Sequence, residues 1–378
     1  MKQLKIVNVV GARPNFMKIA PIIDEMKKYP AIQPYLVHTG QHYDRVMSDL
    51  FFNNLGLPKP DNYLGIGSGG HGEQTGKVMI AFEACMKEVK PDVVLVVGDV
   101  NSTIACGLVA VKMGIKLVHV EAGLRSFDRT MPEEINRLLT DQISDYLFTT
   151  ERDALANLQR EGIPEEKVHF AGNVMIDSLL KHLEKAKSSD VLRSLEVEKG
   201  GYALVTLHRP ANVDDKEVFG RLLDTMCTIS KSIPVLFPVH PRSRNQIERF
   251  GFSELIEAHQ NLKLTEPLGY LDFLHCTANA KLVLTDSGGI QEETTVLGIP
   301  CLTARENTER PITISCGTNI MVGRDTDKIL EETKKILSGD AKKGRCPEFW
   351  DGNAAKRIVA KLWELEGTVV PDRAGVTI

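Results

Sequence analysis

The chain has 378 residues, 25% of them charged and 42% hydrophobic. That is the composition of a soluble globular protein with room for two domains of ordinary size. A formal net charge of −4, with no basic cluster, argues against a nucleic-acid binder. No run of about 18 apolar residues offers a membrane span. Seven cysteines, without a Cys-x-x-Cys pair, sit mostly in apolar surroundings such as Cys85, Cys106 and Cys301. Reduced, buried thiols are expected. No basic segment followed by an apolar run opens the chain, so no signal peptide and a cytoplasmic location are expected.

Taken in chain order, Leu4–Val10 predicts a buried strand ending in the turn Gly11-Ala-Arg-Pro14, with a helix from near Asn15. Arg13 and Lys18 then lie at a strand's carboxyl end, where open α/β sheets take ligands. Tyr35–His38 predicts the next strand. Gly65-Ile-Gly-Ser-Gly-Gly70 fits G-x-G-x-x-G, but Asp61-Asn-Tyr-Leu64 before it is too short and polar for a dinucleotide strand. A loop carrying a solvated His71, then a helix over Gln74–Val89, is expected. Strand Val93–Val97 leads to Asp99, and Leu117–Val120 leads to Glu121. Pro132 opens a helix over Glu133–Ile143, with Glu133 and Glu134 in its first turn. Tyr146–Thr149 is the last clear strand of this half. Each acid alone reads as a helix cap or first-turn charge. Three at adjoining strand ends point instead to a partly dry cleft, where some carboxyl pKa values rise as acid–base chemistry needs.

Val168–Asn173 reads as a short strand entering a linker, with the boundary near Gly172. The expected domains are 1–171 and 172–352, with a helix and tail over 353–378. Glu184–Gly200 is the polar opening of the second domain. Strands follow at Tyr202–Leu207, Val235–Val239, Lys281–Thr285, Pro300–Thr303 and Asn319–Val322. Near-continuous apolar strands alternating with helices predict an α/β chain of two doubly wound, Rossmann-like domains facing across a cleft.

His208, followed by Arg209, closes one strand and suits a leaving phosphate; His240 closes the next. The run Leu282-Val-Leu-Thr-Asp-Ser-Gly-Gly-Ile-Gln-Glu-Glu-Thr294 predicts a strand, a tight turn and a helix start. Asp286 and Ser287 suit the N-cap. Gly288 and Gly289 let a ligand near the backbone. A helix N-terminus suits a phosphate, and Glu293, one turn in, can reach a sugar hydroxyl. A nucleotide diphosphate is the expected ligand. No zinc-ligand spacing, H-E-x-x-H or G-x-S-x-G is present, so neither a metal, a cofactor nor a serine nucleophile is expected.

In combination these motifs resemble the non-hydrolysing UDP-N-acetylglucosamine 2-epimerases, a family with the glycosyltransferase-B fold. The resemblance runs from Lys5 to about Lys361. It rests on Gly11-Ala-Arg-Pro14, Lys18, Gly98-Asp99, His119-Val-Glu-Ala-Gly-Leu-Arg125, Pro132-Glu-Glu-Ile-Asn-Arg137, Thr206-Leu-His-Arg209, Asp286-Ser-Gly-Gly-Ile-Gln-Glu-Glu293 and Thr308-Glu-Arg-Pro311. It implies reversible C2 epimerisation of UDP-N-acetylglucosamine by elimination and re-addition of UDP, for surface polysaccharide synthesis. It implies no cofactor, and a homodimer formed through helices of the first domain.

The resemblance also implies roles. Asp99, Glu121 and Glu133 match the catalytic carboxylates, and His208 the catalytic histidine. Ser287, Gly288 and Gly289 match the phosphate turn, and Glu293 the ribose ligand. Arg13, Lys18 and Arg310 match further substrate-binding positions, and Phe273 one that meets the uracil. Gln41, Glu134, Arg209 and His240 match a second-substrate activator site, although Gly72-Glu-Gln-Thr-Gly76 lacks an arginine often found there. The Gly-Ala-Arg-Pro turn, the Asn101-Ser-Thr103 run and the short Arg125–Pro132 segment resemble a sister group acting on UDP-2,3-diacetamido-2,3-dideoxyglucuronate. A hydrolysing epimerase is a further alternative. So is a glycosyltransferase of the same fold, which would need one base and an acceptor groove.

Overall fold

In a computed structural model the described residues are 3–40 and 59–367, Arg13 by its backbone alone. Gln41 therefore lies outside the described residues, as does the Arg13 side chain. The chain divides into two compact units. The first holds 1–124, 128–178 and 351–378; the second holds 125–127 and 179–350.

Seven strands form the sheet of the first unit: β1 (Leu4–Val10), β2 (Ile32–His38), β3 (Asn62–Tyr63), β4 (Val93–Val97), β5 (Lys116–Ala122), β6 (Tyr146–Thr149) and β7 (Val168–Phe170). Their order is β3-β2-β1-β4-β5-β6-β7, and every pairing is parallel. The chain leaves β1 to one side and returns to the other, so the switch point lies between β1 and β4. Val7, Val9, Val94 and Val96 are fully or almost fully buried against Val78, Phe82 and Met86 of the His71–Val89 helix. Each such side chain contributes roughly 1.5–3 kcal/mol through removal from water.

The second unit repeats the winding with six strands: β8 (Ala203–Thr206), β9 (Val235–Pro238), β10 (Leu262–Thr265), β11 (Leu282–Thr285), β12 (Cys301–Thr303) and β13 (Asn319–Met321). Their order is β10-β9-β8-β11-β12-β13, again all parallel. The switch point is between β8 and β11. Its core joins Val205, Phe237 and Leu284 to Phe219 and Leu222 of the Lys216–Ser230 helix.

The Ala354–Glu366 helix packs on the Arg13–Met26 helix of the first unit. Asp177 caps it from afar, accepting the Ala354 and Ala355 N–H groups at 3.1 and 2.8 Å. All seven cysteines are free thiols, and five of them are buried. No helix among the described residues is long and apolar enough to cross a membrane.

Candidate active site

The polar residues of the first unit gather where β1, β4 and β5 end. A Cβ on Gly11 would lie 2.3 Å from Ser102 Oγ, so only glycine fits the turn after β1. Asn15 Oδ1 accepts the Ala12 N–H at 2.9 Å, while its Nδ2 donates to the Val97 carbonyl at 3.1 Å. This side chain ties the first turn to the end of β4. One turn further, buried Lys18 meets Glu121, with Nζ 2.5 Å from Oε2. Glu121 holds φ at 74°, the left-handed region, where β5 shifts register against β6. That conformation costs on the order of 1–3 kcal/mol in a non-glycine residue, and such strain clusters at functional sites.

Asp99 follows β4. Its Oδ2 meets Arg137 Nη2 at 2.5 Å, and Arg137 Nη1 meets Glu134 Oε2 at 2.5 Å. Asn136 donates to the Asp99 carbonyl at 2.9 Å. Asp99 and Glu121 thus each face a fixed cation. Glu133, half-buried in the first helical turn, has no such partner among the described residues. Three of the expected residues, Lys18, Asp99 and Glu121, are neighbours here. Arg137 ends the Pro132–Arg137 motif without a role that the sequence assigns to it, although its spacing from Glu134 is that of an ion pair on one helix face. The Gly65–Gly70 run follows only the two-residue edge strand β3, not the long buried first strand of a dinucleotide unit. The helix after it opens at His71, three residues earlier than expected, and His71 Nδ1 lies 3.2 Å from Asn101 Nδ2.

In the second unit the residues collect after β8, β9 and β11. Asp286 is fully buried, and it is not the helix cap its sequence context indicates. It turns to the loop after β8, where Oδ1 lies 2.9 Å from His208 Nδ1. Its Oδ2 accepts the N–H groups of His208 and Arg209 at 3.0 and 2.8 Å and the Asn212 amide at 3.1 Å. Burial pushes its carboxyl up, but the hydrogen bonds and charge of His208 and these N–H donors outweigh it and hold Asp286 below its ordinary value. The same contact orients the His208 ring, whose side chain remains 38% exposed. The His240 ring lies 5.4 Å away, and burial, then the charge of His208, lowers its pKa. His240 also accepts the Arg242 N–H and so caps the Pro241–Phe250 helix. Arg209 is half-buried and contributes its backbone N–H.

Ser287 occupies the N-cap position of the Gly288–Leu297 helix, with no side-chain cap bond. The end of this helix keeps its positive dipole and N–H groups for an anion. A Cβ on Gly288 would stand 2.7 Å from Glu309 Oε1. Buried Arg310 places Nε 2.7 Å from Glu292 Oε1, and Arg305 meets Glu309 at 2.8 Å. Glu293, also buried, is pushed up to about 8 by burial and then by Glu292. Phe273, on the Tyr270–Ala278 helix, packs on the apolar cluster that includes Ile290 of the Gly288–Leu297 helix. The turn, Glu293, Arg310 and Phe273 therefore belong to one neighbourhood. Among the described residues no group of three or more His, Cys, Asp or Glu side chains could hold a metal ion.

Two doubly wound sheets, each with polar side chains collected at a switch point, place the chain in the glycosyltransferase-B class. A family model described as UDP-N-acetylglucosamine 2-epimerase matches residues 24–363. The chain belongs to the UDP-N-acetylglucosamine 2-epimerase family. A UDP-N-acetylglucosamine 2-epimerase of Methanococcus maripaludis is 43% identical over 364 residues, covering 94% of this chain and 97% of its own. A UDP-2,3-diacetamido-2,3-dideoxy-D-glucuronate 2-epimerase of Pseudomonas aeruginosa is 40% identical over 365 residues, covering 96% and 100%. The crystal structure of Methanocaldococcus jannaschii UDP-GlcNAc 2-epimerase in complex with UDP-GlcNAc and UDP is similar with a TM-score of 0.87 and 42% identity. It covers 96% of this chain and 100% of that one.

Proposed function

We propose that this protein interconverts UDP-N-acetylglucosamine and UDP-N-acetylmannosamine by eliminating UDP and adding it back. The carrying observation is that Asp99 and Glu121, at adjoining strand ends, each face a fixed cation, with Glu133 on the next helix. One carboxylate takes the C2 proton as the C1–O bond to UDP breaks, leaving a C1–C2 double bond. A second carboxylic acid then protonates C2 on the opposite face as UDP oxygen returns to C1. Two faces need more than one acid–base group. A glycosyltransferase would need one.

The leaving diphosphate gathers negative charge and is met by fixed donors. These are the N–H groups of the Ser287 turn with Gly288 and Gly289, the outward nitrogen of His208, and Arg310. Glu293 holds the ribose and Phe273 the uracil. Lys18 keeps Glu121 in place, and Arg13 joins the substrate-binding set. Arg209, Glu134 and His240, with Gln41, take a second substrate molecule as activator.

The protein acts in the cytoplasm, in keeping with its free thiols, and its product feeds surface polysaccharide synthesis. It works as a homodimer. Exposed Ile80, Val111 and Leu139 stand on three helices packed side by side in the first unit, His71–Val89, Asn101–Lys112 and Pro132–Ile143, and support that association. Incubation with UDP-N-acetylglucosamine alone tests the activity. UDP-N-acetylmannosamine should appear without any acceptor. Stoichiometric free N-acetylmannosamine would make it a hydrolysing enzyme. Inertness toward this sugar, with turnover of the diacetamido-uronate, would move it to that substrate.

A further inference from the structure

His119 is fully buried on β5, two residues before Glu121, and so cannot touch a substrate. Its Nε2 lies 2.8 Å from the Gly98 carbonyl, and its Nδ1 lies 2.6 Å from Asp141 Oδ1. A carbonyl only accepts, so Nε2 carries a hydrogen. The line from Nδ1 to Oδ1 needs one further proton, on the ring or on the carboxyl. Either way the pair is neutral as a whole, which spares the core an uncompensated charge. Asp141 Oδ2 accepts the Gly123 N–H at 3.0 Å.

Three segments meet on this pair. Gly98, at φ 66°, immediately precedes Asp99. His119 and Gly123 flank the left-handed Glu121. Asp141 stands on the Pro132–Ile143 helix, whose first turn carries Glu133 and whose next turn carries Arg137. Both glycines hold a left-handed φ, 66° at Gly98 and 79° at Gly123, and a Cβ on Gly123 would lie 2.6 Å from the Ala154 carbonyl.

We propose that His119 and Asp141 are positioning residues. Their bonded pair locks the end of β4, the end of β5 and the Pro132–Ile143 helix into one arrangement, and so aims Asp99, Glu121 and Glu133 at the same reacting carbon. The inference rests on the roles proposed above for those carboxylates. Because the pair is neutral, it orients them without adding charge to them.

The test uses the full-length protein in three forms. His119→Asn keeps an amide for Asp141 but cannot reach Gly98. The double variant His119→Phe/Asp141→Leu removes both members of the pair, together with their bonds to the Gly98 carbonyl and the Gly123 N–H. The third form is His119→Asn placed in an Asp99→Asn background. For folded His119→Asn and the double variant, kcat should fall roughly a hundredfold, the scale of a small misplacement of reacting groups. KM and the thermal shift produced by UDP should stay at native values. In the Asp99→Asn background the His119 change should cost far less, since residues acting through one another are not additive.

Native kcat in a folded variant would overturn the proposal, as would full additivity with Asp99→Asn. Failure of both His119→Asn and the double variant to fold would mark the pair as structural only and overturn it too. Native turnover in Asp99→Asn, Glu121→Gln and Glu133→Gln would instead sink the reading of the site, and this inference with it. Low turnover in those variants, with native turnover in His119→Asn, would sink this inference alone.

Discussion

Glu293 is buried beside a second acid, Glu292, and holds its proton up to about pH 8. A carboxyl whose folded value stands above its ordinary 4.5 keeps a proton that the unfolded chain releases. The folded state therefore loses stability as pH rises from about 4.5 to about 8, and no further above that. Glu293→Gln has no proton to lose. Its melting temperature should fall less between pH 5 and 8 than that of the native protein, and UDP should stabilise it less. An unchanged pH slope would contradict the buried acid. Asp99→Asn, Glu121→Gln and Glu133→Gln should each lower kcat roughly a hundredfold or more, the scale of lost acid–base groups. Their UDP-induced thermal shifts should stay near native, and a variant with native kcat would remove that residue from the chemistry. These positions are legible in the sequence because Asp99 and Glu121 stand at the ends of buried apolar strands and Glu133 lies in the first turn of a helix. Their partners are not legible. Arg137 is 38 residues from Asp99, Asp141 is 22 from His119 and Asp286 is 78 from His208. Ion pairs across such distances leave no local pattern. Asp286 in particular sits where a helix cap belongs, and only the fold brings the competing loop to it.

At the scale of elements, the last helix depends on one distant carboxylate. Asp177 receives two N–H groups of the Ala354–Glu366 helix, yet burial pushes its pKa up to about 6. Asp177→Ala should cost about 1–2 kcal/mol, the usual value of a lost cap, read by urea unfolding. Asp177→Asn keeps an acceptor without the buried charge and should cost much less. Equal losses would show that the charge, not the acceptor, secures the helix. Most strands were readable because parallel strands covered on both faces are continuous apolar runs. The exceptions have physical reasons. β2 begins at Ile32 rather than at the expected Tyr35, because Pro34 breaks the apolar pattern. Proline is tolerated there since β3 pairs only with Val37 and His38, so among the described residues no strand pairs with the outer edge at Pro34. β10 ends its sheet and is a short Leu-Lys-Leu-Thr run, half-exposed, so it lacks the signature of the central strands. β3 has two residues and no pattern to read.

For the whole molecule, the nucleotide should act by mass action on stability. UDP should raise the melting temperature and free N-acetylglucosamine should not, because the diphosphate supplies the charge that the Ser287 turn receives. Arg310→Ala should shrink that shift; equal shifts from NAD and UDP would contradict the assignment. EDTA should leave turnover unchanged, and activity restored by one divalent ion after its loss would reveal a metal site. The central claim is that C2 inverts through loss and return of its proton while UDP is detached. It is tested most directly by following UDP-N-acetylglucosamine with the protein in heavy water by proton NMR. A carboxyl that equilibrates with solvent should deliver deuterium to C2 of the UDP-N-acetylmannosamine formed, with little free UDP or free sugar. Product that retains its C2 proton throughout would contradict the account.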